Sequence, residues 1–278
     1  MRIALCNEVI APMSFPKQCE YAKKLGYDGL EIAPYTLSEE PHRLGAAQLA
    51  AARTAAEDAG VAITGLHWLL LKPTGLSIST HDQKIRRRTI DVMLAFVDQC
   101  AELGGRYLVH GSPSQRRIDA GDNRTAALAR AQECFAAVAE RARKAGVVYC
   151  IEPLSSEQTP LINTLEEAAG MVQAIGSAHV KTMLDCSSAG RMEKEPLPAL
   201  VERWLPKGMI AHVQLNDRNR QGPGQGEQRF APLLAALRRH GYAGDLAVEP
   251  FDYVPDGPGA AARAIGYVRG ILEALETQ

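Results

Sequence analysis

The chain has 278 residues, 46% hydrophobic but only 5% aromatic, so its core must be built from Ala, Leu, Val and Ile. That suits helices packed on a parallel sheet and disfavours an aromatic-rich β-sandwich. A formal net charge of −1 and a pI near 6.7 leave no basic footprint, which argues against nucleic acid as a partner.

The opening segment, MRIALCNEVIAP, has too short an apolar run for a signal peptide. No run approaches the roughly 18 apolar residues of a membrane span. A cytoplasmic protein with no membrane partner is therefore expected. The six cysteines (6, 19, 100, 134, 150 and 186) form no CxxC pair and are expected to be reduced thiols.

Taken in order, Arg2–Asn7 predicts a short buried strand, and Ser14–Gly26 a helix with Ser14 as cap and Pro16 in its first turn. Asp28–Ala33 is strand-like, with Glu31 on the face opposite Leu30 and Ile32. Gly45–Ala59 predicts an Ala-rich helix closed by Gly60, and Val61–Leu66 a third strand running into His67 and Trp68. A loop precedes the long helix His81–Leu103. Arg106–His110 is a fourth strand, followed by the polar loop GSPSQRR.

Asn123–Ala145 predicts a helix and Val147–Ile151 a fifth strand, ending at Glu152. Thr164–Ile175 predicts a helix with Thr164 and Glu167 in capping-box spacing. Val180–Leu184 is a sixth strand ending at Asp185, and one helical region leads on to Trp204. Met209–Leu215 is a seventh strand, Phe230–His240 a helix, Asp245–Val248 an eighth strand ending at Glu249, and Gly259–Leu275 a final helix. Eight strand–helix alternations without a composition break predict one domain over residues 1–278, a closed (β/α)8 TIM barrel. The alternative, a doubly wound open sheet, lacks both a GxGxxG after the first strand and a P-loop.

Active sites of such barrels lie at the C-terminal ends of the strands. Strands five to eight end in Glu152, Asp185, Gln214 and Glu249, and period-2 alternation points all four inward. A carboxylate in this position can cap the following helix, but four polar residues at one level ask for more. Three carboxylates crowded at one mouth repel unless a cation lies between them. An all-oxygen set with one amide carbonyl suits Mg²⁺ or Mn²⁺ better than a structural Zn²⁺.

Five segments carry a resemblance: GYDGLEI at Gly26–Ile32, IEP at Ile151–Pro153, LDCS at Leu184–Ser187, HVQLND at His212–Asp217 and GYAGDLAVEPF at Gly241–Phe251. In order and at barrel spacing they resemble the xylose-isomerase-like TIM barrels, which include ketose 3-epimerases, hydroxypyruvate isomerase, inosose dehydratase and endonuclease IV. The resemblance implies one divalent metal on Glu152, Asp185, Gln214 and Glu249, with Zn²⁺, Co²⁺ or Fe²⁺ as other occupants, and no organic cofactor. It implies that Glu152 and Glu249 double as acid/base groups on opposite faces of a sugar, keto-sugar or sugar acid. A metal-stabilised cis-enediolate would be the intermediate of this isomerase or epimerase.

It further implies that Arg220, on the loop NRQGPGQG, binds substrate, and that the chain forms homodimers or homotetramers as relatives do. Two positions depart from the ketose 3-epimerases: Gln214 stands where most have His, as in hydroxypyruvate isomerase, and Ser188 replaces a substrate-binding His. The endonuclease reading would need additional metal-binding histidines and a basic groove, and neither is evident.

Other polar residues admit two readings each. His67, His110 and Trp68 either contact the sugar or pack in the core, and Arg116 either holds an anionic group or is solvated beside Arg117. Glu31 either contacts substrate or forms a buried ion pair, and His212 is expected to support the site from one layer below. The rival functions are a lyase that dehydrates a keto-polyol on the same site and a non-catalytic sugar-binding barrel.

Overall fold

The computed structural model describes residues 1–276. Its eight strands are β1 (Arg2–Cys6), β2 (Gly29–Ile32), β3 (Ala62–Leu66), β4 (Tyr107–His110), β5 (Val148–Ile151), β6 (Val180–Asp185), β7 (Ile210–Leu215) and β8 (Asp245–Val248). All neighbours pair in parallel, and β8 returns to β1 with Leu5 opposite Val248, closing the barrel as expected. Strands this short stay in place because both faces are covered, the interior by side chains and the exterior by helices. β2, β4 and β8 accordingly expose no residue.

The outer ring is α1 (Phe15–Leu25), α2 (Ala46–Ala59), α3 (Gln83–Glu102), α4 (Arg124–Ala145), α5 (Leu165–Ile175), α6 (Cys186–Met192), α7 (Leu197–Trp204), α8 (Phe230–Arg239) and α9 (Gly257–Glu276). The one helical region expected before Trp204 is two helices. Its turn ends at Pro196, whose ring fixes φ at −67° and starts α7 afresh. The capping box of α5 is shifted by one residue: Thr164 Oγ1 accepts from Glu167 N, but the Glu167 carboxylate accepts from Asn163 N. All six cysteines are free and buried. Among the described residues no helix is long and apolar enough to cross a membrane.

The barrel's lower end is closed by charge. Asp245, at the start of β8, accepts from Arg2 Nε at 2.8 Å and from Arg106 Nη2 at 2.5 Å. Higher in the interior, Tyr107 stacks on His212 with ring centroids 3.9 Å apart. Gly65 makes room for it, since a Cβ there would lie 2.5 Å from the tyrosine ring.

Candidate active site

At the upper end, register sets the side chains level. Asp185 pairs with Gln214 across β6 and β7, so the two point to the same face at the same height. Glu152 directly follows β5 and Glu249 directly follows β8, and the two line one cavity with His67, Trp68, Gly111, Leu154, Gln158 and Phe251. Glu152 lies over the end of β4, where a Cβ on residue 111 would sit 1.6 Å from its Oε2. Only glycine at 111 permits that placement.

The four strand-end residues are all buried and differ in what satisfies them. Asp185 accepts from Ser188 N and from Asn216 Nδ2, both at 2.6 Å, and so caps α6, yet each oxygen keeps a lone pair. Gln214 donates from Nε2 to Glu31 Oε1 at 2.8 Å, leaving its Oε1 without a partner. Glu249 Oε1 accepts from His67 Nδ1 and Trp68 Nε1, each at 3.1 Å, while its Oε2 is also buried and unpartnered. Burial pushes the Glu152 carboxyl well above the usual range, and Asp185 and Glu249 push it further. Burial likewise raises Asp185 and lifts Glu249 to about 8, where the nearby His67 only partly offsets it. Carboxyls raised in this way, beside two orphaned oxygens, form a donor set that fits a hard divalent cation.

His67 is central to a second arrangement. Its Nε2 lies 3.0 Å from Glu8 Oε2, and its Nδ1 faces Glu249 at 3.1 Å and Glu31 at 3.6 Å. Burial alone would lower His67, but Glu8, Glu249 and Glu31 outweigh it and raise the ring well above the ordinary histidine range. Cys6, Glu8, His67 and Glu249 place one ligand atom each within 4.8 Å of one another, a candidate metal site that shares Glu249 with the strand-end set. In this cluster both ring nitrogens of His67 already serve carboxylates, so a metal there would have to displace one of those bonds.

Glu8, on the turn after β1, was not among the residues singled out from the sequence. The signal for it was available, because Cys6-Asn7-Glu8 is a strand end of the same kind as the four that were read. Asn216, which holds Asp185 and also donates to the Glu249 carbonyl at 3.1 Å, carried a similar signal two residues beyond Gln214.

The remaining candidates separate into the mouth and the core. Trp68 lines the cavity and meets Phe251 edge to face, with centroids 6.5 Å apart. Arg220 stands at the rim, its guanidinium 4.8 Å over the Phe251 ring and its carbonyl accepting from Phe251 N and Asp252 N. It holds φ at 72°, a conformation uncommon outside glycine. His110 is in the core: its Nδ1 meets Tyr149 Oη at 2.8 Å, and burial followed by Arg116 keeps it well below the ordinary histidine range. Arg116 is neither solvated nor at the cavity wall. It is fully buried and donates to the carbonyls of His110 and Glu152, tying the ends of β4 and β5 together. The substrate contact expected of it is therefore replaced by a contact with the backbone of Glu152.

The model of the xylose isomerase-like TIM barrel family matches residues 19–271. The chain belongs to that family. Curated members similar to it include a D-psicose 3-epimerase of Agrobacterium fabrum, 26% identical over 240 residues, covering 85% of this chain and 79% of that protein. A 3-dehydro-D-guloside 4-epimerase of Escherichia coli is 23% identical over 272 residues, covering 90% and 92%. Among solved members of this fold, a D-psicose 3-epimerase with D-tagatose from Clostridium cellulolyticum H10 superposes with a TM-score of 0.81 at 21% identity, over 98% of this chain and 99% of that one.

Proposed function

We propose that this chain is a divalent-metal-dependent epimerase or isomerase of a keto-sugar. The observation that carries the reading is the pairing of Glu152 and Glu249 on one cavity, with the buried Gln214 Oε1 and Glu249 Oε2 left without partners. The names of the similar family members, which act on ketoses or keto-glycosides, support the substrate class. Glu152, Asp185, Gln214 and Glu249 would hold the cation, with Mn²⁺ or Mg²⁺ preferred by an oxygen donor set. When bound, it would supply the charge that polarises a ketone and its neighbouring hydroxyl.

The chain's own groups do the rest. One of the two cavity carboxylates takes the proton from the carbon beside the ketone. The other returns a proton to the same carbon, giving an epimer, or to its neighbour, giving an aldose–ketose isomer. His67 and Trp68 hold Glu249 Oε1 and so fix the orientation of this carboxylate, whose Oε2 has no partner within the chain. Trp68, Leu154 and Phe251 line the cavity with apolar surface that would exclude water, and Arg220, stacked over Phe251, would bind sugar hydroxyls.

The test is incubation with Mn²⁺ and candidate ketoses in D₂O. Solvent deuterium on one carbon of an undehydrated sugar is expected. A dehydrated product would replace this reading with a lyase, and no exchange with any ketose would sink it.

A further inference from the structure

Glu31, on β2, is fully buried and has no part in the proton transfers just described. Donors nevertheless converge on both of its oxygens. Oε1 accepts from Gln214 Nε2 at 2.8 Å, and Oε2 accepts from Tyr107 Oη at 2.6 Å. His212 Nε2 lies 2.8 Å from Oε2 without hydrogen-bond geometry. The hydroxyl donor is itself held in place. Tyr107 is fixed by its stack on His212 and by Thr64 Oγ1 at 2.9 Å.

A primary amide has nearly the same shape after half a turn about its last bond, so packing alone does not decide which end of Gln214 faces the mouth. The partner behind it decides. A carboxylate only accepts hydrogen bonds, so it takes the NH₂ and leaves the carbonyl oxygen pointing away. That oxygen, Gln214 Oε1, is the one found buried without a partner. A carbonyl oxygen ligates a hard cation, and an amide nitrogen carrying its hydrogens does not.

We infer that Glu31 is a positioning residue: it fixes the Gln214 amide with its oxygen toward the metal site, and so lets a glutamine serve as the neutral ligand. This rests on the metal-dependent reading above. Partners that orient metal ligands are worth about 10–100-fold in affinity.

The experiment is calorimetric titration of the chelator-treated full-length protein with MnCl₂. Glu31→Gln, which keeps size and shape but can donate to the amide oxygen, is expected to weaken Mn²⁺ binding by about 10–100-fold with circular dichroism unchanged. In a Gln214→Leu background the same change should alter the affinity by less than about twofold. Equal affinity for wild type and Glu31→Gln, or additive losses in the double variant, would overturn the proposal.

If Glu31→Gln does not fold, Gln214→Glu decides. Facing Glu31, a second carboxylate should weaken Mn²⁺ binding by about tenfold or more. If Glu31 has no influence, the added negative ligand would tighten binding, and that result overturns the proposal. Wild-type protein that takes up no Mn²⁺ overturns the metal-dependent reading and this proposal together, whereas failure of the Glu31 variants alone leaves the reading standing.

Discussion

Strand β8 carries an acid at each end, and the two have opposite surroundings. Asp245, at the bottom, accepts from arginine on both oxygens, Arg2 reaching both and Arg106 adding to one. Glu249, four residues on, shares one oxygen with His67 and Trp68 and leaves the other buried and unpartnered among further carboxylates. Both are conventional carboxylates on a parallel strand. One is compensated within the chain and closes the barrel. The other is left uncompensated where a ligand can complete it, as functional sites tend to be.

The comparison breaks most sharply under substitution. Glu249→Gln should lower kcat by about 10²–10⁴-fold, the usual contribution of a positioned acid/base group, without loss of thermal stability. Asp245→Asn should leave turnover within about threefold of wild type, which rate assays on both variants would establish. Next in size is Gly111→Ala. Its new methyl would occupy the place of Glu152 Oε2, so the carboxylate must swing away and kcat should fall by about 100-fold. Thermal melts should show the fold intact, since the displaced group is the mobile end of a side chain.

A smaller effect is expected at the bottom. Arg2 and Arg106 are about half exposed, so water takes over much of what Asp245 supplied. Asp245→Asn should therefore cost about 1–2 kcal/mol, read from denaturant unfolding.

The smallest effect is in the pH profile of the metal-free protein. Glu249 stands at about 8 in the fold against an ordinary 4.5, raised by burial and by Asp185 and Glu8 over the opposing pull of His67. Its stabilising contribution is complete below 4.5 and is lost as pH rises through 8, because the unfolded chain releases a proton that the fold retains. Stability should fall across that window, and the Tm gain from Mn²⁺ should grow toward roughly 5 °C at saturating metal. A gain that shrinks with rising pH would contradict the sign.

Much of this was legible in the chain. The alternation of apolar runs with amphipathic helices identified every strand, because parallel strands buried on both faces are read from local composition. The four strand-end residues followed from period-2 alternation and barrel geometry. What was not legible depends on closure. His67, after β3, meets Glu8 and Glu249 across the β8–β1 seam, and no local pattern relates residues 59 and 182 positions apart. Arg116 shows the same limit. Beside Arg117 in a polar loop it looks solvated, but a short turn over Ser114–Arg116 tucks its guanidinium beneath the ends of two strands. Glu8 lies on a turn just past β1, and only the assembled barrel brings it to His67.

The central claim is that the mouth of the barrel binds a divalent cation through the ends of β5 to β8. Anomalous diffraction from crystals soaked in MnCl₂ tests it most directly. The account predicts one strong manganese peak bonded to Glu152, Asp185, Gln214 Oε1 and Glu249. A peak held by Cys6, Glu8 and His67 instead, or no peak at the mouth, would contradict it.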